Sequence, residues 1–363
     1  MLRRILLLVL TLIIAALFES ADVRAVENEN PVVQPVTTAV LAAVPVQEPV
    51  FTGLETVRLQ NPVIDERVKI SVSFAGDCTL GTDASFLYKT SFPQVLADKK
   101  FDYAWFFSDA KQIFQSDDLT LVNLETTLTD AFKPAKKKFR FKGDPSYTKI
   151  LKEASVEVVN IANNHTMDYL QKGFDDTIFA LEKADVEYSG REYVPCIDVK
   201  GVKVAFIGFT AWDGDVRGKI QESVKKAKTA AQIIIVSLHW GRERIYVPDE
   251  EQISLAHFCI DNGADAVIGH HPHVLQGVEC YKQRYIAYSL GNFCFGGNSN
   301  PTDKDSMIFR NVFELKQGKL IGVEAEIMPC SISSSKNVND YRPELLYGKE
   351  KDRVLEKIKK TGW

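Results

Sequence analysis

Histidine is scarce in this sequence, and the positions of most histidines indicate a single functional site. Only six histidines occur among the 363 residues. Five of them stand at or just after the ends of apolar runs, namely His165, His239, His270, His271 and His273. A lone histidine is usually structural, but five at run ends, beside Asp77, Glu125 and Asn164, predict a metal site. The sixth, His257, lies in the middle of a predicted helix and is interpreted as a packing residue.

The residue types narrow the choice of metal and its chemistry. Imidazole and carboxylate ligands together suit Zn²⁺, Mn²⁺ or Fe, whereas Ca²⁺ takes oxygen ligands only. One carboxylate can bridge two divalent ions, and such a pair activates water and clamps the oxygens of a displacement. The sequence therefore predicts metal-assisted hydrolysis, with the choice between a phosphoryl and an acyl substrate left open. A serine or cysteine nucleophile has no support, and the sequence has no glycine-rich nucleotide-phosphate loop.

The polar residues follow strand-like runs, and this pattern predicts how they are brought together. Six apolar runs end abruptly in polar residues, at 68–75, 119–122, 156–162, 233–238, 266–268 and 285–290. Buried strands with reactive groups at their carboxyl ends are how α/β proteins build a site. Helical patterns occur at 103–114, 168–183, 218–230 and 249–262, and a hairpin is expected from 307–315 and 320–328. The predicted fold class is therefore α/β with mixed sheets.

Composition and charge set the general class of the protein. Apolar residues make up 45% and charged residues 25% of the chain, which is ordinary globular composition. The formal net charge is −4, so no basic excess argues for a nucleic-acid partner. The six cysteines match no compact disulfide framework, and we interpret them as buried free thiols.

The N-terminal residues predict export. Arg3 and Arg4 precede an apolar run at 5–18, which is the layout of a secretory signal and is short for a membrane span. We interpret 1–25 as a signal peptide or an uncleaved signal-anchor, and 26–66, with five prolines, as a flexible linker. The main domain is predicted at 67–330 and a charged, C-terminal helical tail at 331–363. The body is thus expected at the extracytoplasmic face of the cell membrane, anchored there or secreted.

Six short motifs follow one another between residues 69 and 297. They are Gly76-Asp77 with Leu80-Gly81, Asn123-Leu124-Glu125, Asn163-Asn164-His165 with Asp168, His239-Trp240-Gly241 with Glu243, His271-Pro272-His273 with Gln276, and Ser289-Leu290-Gly291-Asn292-Phe293. Each motif is weak alone. Their order and spacing together resemble the CapA family of poly-gamma-glutamate capsule synthesis proteins, which is similar to the calcineurin-like metallophosphoesterases.

The resemblance implies a four-layer fold, in which two mixed β-sheets pack together and helices flank them. It also implies a site for two divalent metal ions. Asp77 and His273 would bind the first ion, and Glu125 would take the bridging position. The second ion would be served by Asn164, His239 and His271. For catalysis, His165 would be the general acid that protonates a leaving group, and Asn123 would support the site.

The sequence departs from the metallophosphoesterase pattern at two positions. Those enzymes carry a histidine two residues after the first aspartate, where this chain has Thr79. Their bridging aspartate is replaced by the longer Glu125. The first ion is therefore expected to lack one ligand, and to bind weakly or to need substrate. Glu243 is expected either to orient a ligand imidazole or to pair with a neighbouring arginine.

Two functions follow for a protein of capsule or envelope polymer biosynthesis. In the first, it is an exported metal-dependent hydrolase, phosphoesterase-like, that acts on a phosphoester or on an anionic, polyglutamate-like cell-surface polymer. His165 supports this function, because a binding site needs no acid. In the second, it is a non-catalytic, membrane-tethered component that grips the polymer beside membrane capsule-synthesis subunits. Thr79 and the basic run at 136–142 support the second function, although we favour a solvated loop for lysines 136–138.

Overall fold

The computed structural model describes residues 67–212 and 214–362. In this part the strands, numbered in chain order, are β1 (Arg67–Thr79), β2 (Thr82–Asp83), β3 (Leu119–Leu124), β4 (Thr127–Leu128), β5 (Phe141–Gly143), β6 (Val158–Asn160), β7 (Glu187–Ser189), β8 (Cys196–Val199), β9 (Val202–Thr210), β10 (Ile233–His239), β11 (Ala266–His270), β12 (Val278–Tyr281), β13 (Arg284–Ala287), β14 (Asn292–Phe295), β15 (Asp305–Lys316), β16 (Lys319–Ser331) and β17 (Glu344–Leu345). The α-helices are α1 (Phe92–Asp98), α2 (Lys111–Ser116), α3 (Thr148–Glu153), α4 (Leu170–Lys183), α5 (Val216–Ala227), α6 (Glu250–Asn262) and α7 (Gly348–Lys360). The predicted signal segment and linker lie outside the described residues.

The strands form two large mixed sheets. One has eight strands in the order β17-β16-β15-β1-β3-β6-β7, with β14 paired to β1. Within it β1, β3, β6 and β7 run parallel, and β15 is antiparallel to both of its neighbours. The other has six strands in the order β12-β13-β11-β10-β9-β8, of which β9, β10, β11 and β13 are parallel. A small third sheet contains β2, β5 and β4.

Three apolar clusters separate four layers. The central cluster lies between the two large sheets and includes Phe74 of β1 and Phe206 of β9. A second cluster packs α3 and α4 on the outer face of the eight-stranded sheet, where Val122 and Leu181 are buried. A third packs α5 and α6 on the outer face of the six-stranded sheet. The predicted α/β architecture, two packed mixed sheets flanked by helices in four layers, is therefore confirmed.

The uninterrupted apolar runs follow from this layering. In β10, Ile233 and Ile235 face the central cluster, whereas Ile234 and Val236 face the outer helices. Successive side chains of a strand point to opposite faces, so a strand covered on both sides needs apolar residues throughout. The predicted hairpin is confirmed as β15 and β16, and the residues of β16 alternate because part of that strand is exposed.

One predicted helix is wrong. Residues 103–114 form a 3-10 helix at Tyr103–Phe107, a break, and only then the start of α2. Phe106 and Phe107 are both buried, and adjacent residues of an α-helix do not face the same side. Asp109, within the break, accepts a hydrogen bond from the backbone N–H of Leu345 at 2.6 Å. Tertiary contacts thus override the local helical pattern here.

The other helices match their predicted positions to within a few residues. In α6, the Asp249 side chain caps the backbone N–H of Gln252 at 3.0 Å, and the Gln252 side chain accepts from the Asp249 N–H in return. Gly263, at φ 109°, ends the helix in a left-handed conformation that glycine adopts without strain. Within the described ranges, no helix has the length and apolar character needed to cross a membrane.

Residues beyond β16 pack closely on the body. The hydroxyl of the buried Tyr341 donates to the carbonyl of Thr90 at 2.5 Å. In α7, Val354 and Ile358 are buried in the central cluster. The helix begins at Gly348, later than the sequence pattern indicates. All six cysteines are free, as predicted, but only four are buried, since Cys196 and Cys280 are exposed at opposite edges of the six-stranded sheet.

Glycine at position 76 is required by close packing, and replacing it should destabilise the fold. A Cβ at Gly76 would lie 2.1 Å from the carbonyl oxygen of Gly291, the backbone that leads into β14. We expect Gly76→Ala to lower the free energy of unfolding by roughly 1–3 kcal/mol, because the backbone at Gly291 must move to make room for the added methyl group. Chemical denaturation monitored by circular dichroism measures this change. Gly322→Ala is the matched control, since nothing lies within 4 Å of a Cβ there. Equal stability of the two variants would contradict the packing argument.

Candidate metal centre

Two rows of polar side chains meet where the parallel strands of both sheets end. In the eight-stranded sheet, Asn292, Asp77, Asn123 and Asn160 occupy neighbouring register positions of β14, β1, β3 and β6. In the six-stranded sheet, Thr210, His239 and His270 do the same across β9, β10 and β11. The ends of the parallel strands therefore place these residues side by side, as the strand-end pattern predicted.

Asp77 is fully buried and is held from several directions. One of its oxygens, Oδ1, accepts a hydrogen bond from Asn123 Nδ2 at 2.8 Å. The other, Oδ2, lies 3.1 Å from His273 Nδ1 and accepts from the backbone N–H of His271 at 3.3 Å. Burial acts to raise its pKa, but the imidazoles of His270 and His273 outweigh this and hold the pKa of Asp77 well below its usual range.

Glu125 is also fully buried, but neither oxygen of its carboxylate has a hydrogen-bond partner among the described residues. Three imidazoles surround Oε1, with His239 Nε2 at 3.6 Å and the Nε2 atoms of His165 and His273 at 3.9 Å each. Burial raises the pKa of Glu125 well above its usual range, against the opposing charge of His273. An unpartnered buried carboxylate is costly, so this position calls for a cation.

His239, His271 and Asn164 form the other side of the centre. The Asn164 Oδ1 atom lies 3.0 Å from His239 Nε2, and the rings of His239 and His271 are 4.7 Å apart. Burial lowers the pKa of His239 well below 6.5 and that of His271 to about 4. Both rings are therefore held neutral, which is the form of imidazole that binds a metal ion.

His273 differs from the other imidazoles. Although burial acts to lower it, the charges of Glu125 and Asp77 raise the pKa of His273 to about 10. Its Nδ1 atom also lies 2.9 Å from Asn292 Oδ1. The backbone φ is 96° at His271 and 57° at His273, conformations that cost non-glycine residues roughly 1–3 kcal/mol each. Such strain persists only where the surrounding structure holds it, and here it turns both rings toward the carboxylates.

His165 stands at the rim of this centre in a chain of charged groups. Its Nδ1 atom lies 2.7 Å from Asp168 Oδ2, which leaves Nε2 facing Glu125. The Lys137 Nζ atom lies 2.5 Å from Asp168 Oδ1 and donates to the carbonyl of Asn164 at 2.7 Å. Burial lowers the pKa of His165, and the hydrogen bond to Asp168 opposes that shift. Lys137 is thus built into the site, so the expectation of a fully solvated lysine run is wrong for its central residue.

Asn123 contacts protein groups on all sides. Its Nδ2 atom donates to Asp77, and its Oδ1 atom accepts from Asn160 Nδ2 at 2.9 Å and from Asn163 Nδ2 at 3.2 Å. Asn163 Nδ2 lies also 2.9 Å from the carbonyl of Leu124. Asn123 therefore links Asp77 to Asn160 and to Asn163, the residue before Asn164. This geometry fits a supporting role.

The structure brings the predicted ligands into three overlapping groups of His and carboxylate side chains. In each group the possible ligand atoms lie within 4.8 Å of one another, and the groups are Asp77 with Glu125 and His273, Glu125 with His239 and His271, and Glu243 with His271 and His273. Glu125 belongs to two of the groups, as a bridging carboxylate would. His270 joins none of them, and both its ring nitrogens lack a hydrogen-bond partner within the described part of the chain.

The sequence prediction gave no role to Asn160 or Trp212, and it expected Glu243 only to orient a ligand imidazole or to pair with an arginine. Asn160 lies beyond the recognised motifs, and only its register position beside Asn123 reveals it. Trp212, half exposed, has its ring 5.0 Å from that of His271. Glu243 approaches two imidazoles closely enough to be a candidate ligand itself. Trp240 and Phe293, which belong to two of the motifs, are both buried.

The donor set fits divalent metal ions of the Zn²⁺, Mn²⁺ or Fe class. It combines neutral imidazoles, two carboxylates and one amide oxygen, which is the mixture these ions accept. The buried and unpartnered oxygens of Glu125 are the specific sign of a cation position. Thr79 Oγ1 is buried as well, and it has no hydrogen-bond partner in the part of the chain that the structure describes.

Comparison with known proteins agrees with the motifs. The chain matches the family described as bacterial capsule synthesis protein PGA_cap over residues 71–297. It is 33% identical over 254 residues to the PGA biosynthesis protein CapA of Bacillus subtilis, covering 62% of this chain and 63% of that protein. It is 37% identical over 204 residues to the capsule biosynthesis protein CapA of Bacillus anthracis, covering 49% of each. The matched segments thus span between about half and two thirds of these relatives.

Among solved structures, the chain is similar to a hypothetical protein from Thermus thermophilus. Its TM-score is 0.45 at 16% identity, covering 72% of this chain and 99% of that one. The family match alone covers more than half of the sequence and contains every predicted site residue from Asp77 to His273. This chain belongs to the bacterial capsule synthesis protein family PGA_cap, the CapA family that its motifs resemble.

Proposed function

We propose that this protein acts in capsule or envelope polymer biosynthesis as an exported, metal-dependent hydrolase. The single observation that carries the hydrolase proposal is the buried Glu125 carboxylate, which has no hydrogen-bond partner among the described residues and is surrounded by three imidazoles. Asp77 and His273 would hold one divalent ion, Asn164, His239 and His271 the other, with Glu125 between them. Metal ions at such a site lower the pKa of water and polarise the bond that is cleaved.

The chain's own residues supply positioning and proton transfer. Asp168 fixes the orientation of His165 through Nδ1, so that Nε2 faces the reaction centre. From that position His165 can give a proton to a leaving group, which is the role of a general acid. Lys137 holds Asp168 and the backbone of Asn164 in place together, which links the acid to a ligand of the metal.

The location and partners of the protein are part of the same proposal. The relatives' names describe roles in capsule or PGA biosynthesis, and a 24% identical protein of Mycobacterium tuberculosis is called a probable polyglutamine synthesis accessory protein. We infer that this chain acts on the extracytoplasmic face of the cell membrane. Its partners there would be an anionic, polyglutamate-like polymer and membrane capsule-synthesis subunits.

A second candidate is a non-catalytic, polymer-binding component of a capsule synthesis complex. The observation in its favour is Thr79, which stands in the core at the position of a metal-binding histidine. A centre that lacks one ligand holds its ion more weakly. The two candidates differ in whether the metal-loaded chain turns over a substrate with His165 as its acid, and this can be measured directly.

The first prediction of the proposed function concerns the metal content of the chain. The purified full chain should bind about two equivalents of divalent metal when supplied with Mn²⁺ or Zn²⁺. The double variant His239→Ala, His273→Ala should lose them, because each change removes one ligand from a different side of Glu125. Elemental analysis by mass spectrometry measures the content. His257→Ala is the matched control, since His257 pairs with Glu279 outside the ligand groups. Absence of metal from the wild-type chain would overturn the hydrolase proposal.

The second prediction concerns the role of His165 as the general acid. His165→Ala should reduce kcat by roughly 10²–10⁴-fold against a generic phosphodiester or polyglutamate, because it removes the proton donor. Metal content should stay at the wild-type level, since His165 belongs to none of the ligand groups found in the described residues. Steady-state kinetics together with elemental analysis test both statements. Unchanged turnover in His165→Ala would contradict the acid role, and no turnover by the metal-loaded wild-type chain would favour the non-catalytic candidate.

The third prediction concerns the contribution of Lys137 to turnover. Lys137→Met should lower kcat by roughly 10–100-fold, because Asp168 loses the cation that holds it and His165 loses its fixed orientation. Lys136→Met and Lys138→Met are matched controls in the same loop, and both side chains are exposed. Equal losses in all three variants would mean that the loop acts through its overall charge.

A further inference from the structure

Two loops beside the metal centre expose large apolar side chains to solvent. In the segment after β2, Leu87 is 71% and Tyr88 is 61% exposed, and in the segment before β5, Phe132 is 93% and Phe139 is 41% exposed. Single exposed apolar residues are common on protein surfaces, whereas a contiguous group of them marks an interaction site. The positions of the two loops show that these four residues belong to one group.

The two loops lie at the same end of the small sheet. β2 and β5 are antiparallel, and the last residue of β2 pairs with the first residue of β5. Just beyond this pair, the ring centres of Phe86 and Phe139 are 6.2 Å apart. The Nζ atom of Lys142 in β5 lies 5.7 Å from the centre of the Phe132 ring. The loop after β2 and the loop before β5 therefore form one surface.

Positive charge surrounds the apolar residues of this surface. Positions 131–142 contain five lysines, one arginine and no carboxylate. Asp130 and Asp144 flank this run, and counting both still leaves a large excess of positive charge. Four lysines of the two loops are exposed and form no salt bridge with a residue that the structure describes, namely Lys89, Lys133, Lys136 and Lys138. We name the exposed residues of 87–89 and 132–139 the rim surface.

The backbone beneath the rim surface is held by buried groups. The carboxylate of Asp168 accepts a hydrogen bond from the backbone N–H of Phe141 at 2.5 Å and binds the ammonium group of Lys137. The carbonyl of Asp168 accepts from the N–H of Ala135 at 2.8 Å. Lys137 thus turns inward, while the lysines on either side of it stay exposed. The exposure of the rim surface is therefore a property of a fixed loop.

Exposed apolar side chains among lysines match the surface of an anionic membrane. Acidic headgroups attract lysines, and each lysine near the headgroups strengthens binding by about fivefold. Phe, Leu and Tyr side chains at the same level enter the boundary between headgroups and acyl chains. A soluble polyanion would contact the lysines but leave Phe132 and Leu87 in water. A second copy of this chain would bring like charges together.

We propose that the rim surface docks on an anionic phospholipid bilayer, with Phe132 and Leu87 inserted among the headgroups. The ring centre of Phe141, beside the rim surface, lies 4.3 Å from that of His165, so docking brings the His165 side of the metal centre to the membrane. None of the predicted metal ligands belongs to the rim surface. Docking is therefore independent of the metal ions and of hydrolysis.

Quenching of tryptophan fluorescence by lipids tests this arrangement. The full chain with Phe132→Trp is mixed with vesicles of equal parts phosphatidylglycerol and acyl-brominated phosphatidylcholine, in which bromine quenches tryptophans that reach the acyl chains. Ile321→Trp is the matched control, since Ile321 is also exposed but lies near the amino end of β1, whereas the rim surface follows the carboxyl end of β1. Both variants share any attachment through residues 5–18, so the difference between them reports the rim surface.

Quenching should be stronger for Phe132→Trp than for Ile321→Trp in these vesicles, and the excess should be lost in vesicles of phosphatidylcholine alone. The excess should also fall as salt is added, because salt screens the attraction between lysines and headgroups. Adding His239→Ala and His273→Ala should leave the excess unchanged, because docking does not need the metal ions. Failure of the hydrolase proposal and failure of docking are thus separate results.

Charge variants identify the lysines that take part. Lys89→Gln with Lys133→Gln, added to Phe132→Trp, removes one charge from each loop and should weaken docking by roughly 30-fold. Lys349→Gln with Lys351→Gln is the matched control, because it removes the same charge from exposed positions of α7. Circular dichroism verifies that both double variants are folded.

Three results would overturn the docking proposal. One is quenching of Ile321→Trp that equals or exceeds that of Phe132→Trp, since the rim surface would then not be the part of the chain that enters the bilayer. Another is an equal loss of quenching in the two lysine variants, which would mean that only overall charge matters. A third is binding of soluble polyglutamate through Lys89 and Lys133 without excess quenching of Phe132→Trp, which would assign the surface to a polymer.

Discussion

The burial of two neighbouring carboxylates is the constraint on which the site depends. Asp77 and Glu125 are both fully buried. One oxygen of each carboxylate and one ring nitrogen of His273 lie within 4.8 Å of one another. Removing one ionised carboxylate from water costs several kcal/mol unless charge or hydrogen bonds compensate it. Asp77 is compensated by Asn123, His273 and a backbone N–H, whereas Glu125 has imidazoles near it but no hydrogen bond within the described residues. The surrounding residues are therefore arranged to receive positive charge at Glu125.

The two-sheet architecture makes this arrangement possible. Parallel strands from both sheets end at one edge, so the row from Asn292 to Asn160 faces the row that contains His239. The central cluster holds the sheets together through large side chains such as Phe74 and Phe206. Rigid packing below the site allows strained backbone above it, at His271 and His273, to persist. The stability of the core thus supports the precision of the centre.

Charged residues around the centre have separate tasks that their exposure alone does not reveal. Lys137 lies in a loop between exposed lysines, yet its ammonium group reaches the buried Asp168 and orients His165 through it. Arg191 lines a cavity of about 1050 Å³ that Asn164 and Trp212 also line, and its guanidinium lies 4.9 Å from the ring centre of Phe174. The two cations therefore contact different groups, Lys137 the Asp168 carboxylate and Arg191 the Phe174 ring. The sequence shows that positions 136–142 are rich in lysine and arginine, but it does not show which group each of these side chains contacts.

Much of the site could be predicted from the sequence, because its polar residues follow the ends of apolar, strand-like runs. Apolar runs that stop near Asp77, Asn123 and His239 predicted buried strands with polar carboxyl ends, and the structure has them. The motif order also identified the family and the four-layer fold. The break in the helix predicted at 103–114 was not accessible, because it depends on a hydrogen bond between Asp109 and the distant Leu345.

The sequence by itself determined the fold class, the family and the set of residues that meet at the centre, since local periodicity and motif spacing are properties of the chain. Only the tertiary structure decided which residues support them. Asn160 joins the site through its register with Asn123, and Lys137 through a contact across thirty-one positions of sequence with Asp168. The cavity that Arg191 lines likewise exists only because residues of α5 and of the loop around Arg191 come together. Contacts between distant segments depend on packing, and no local pattern encodes them.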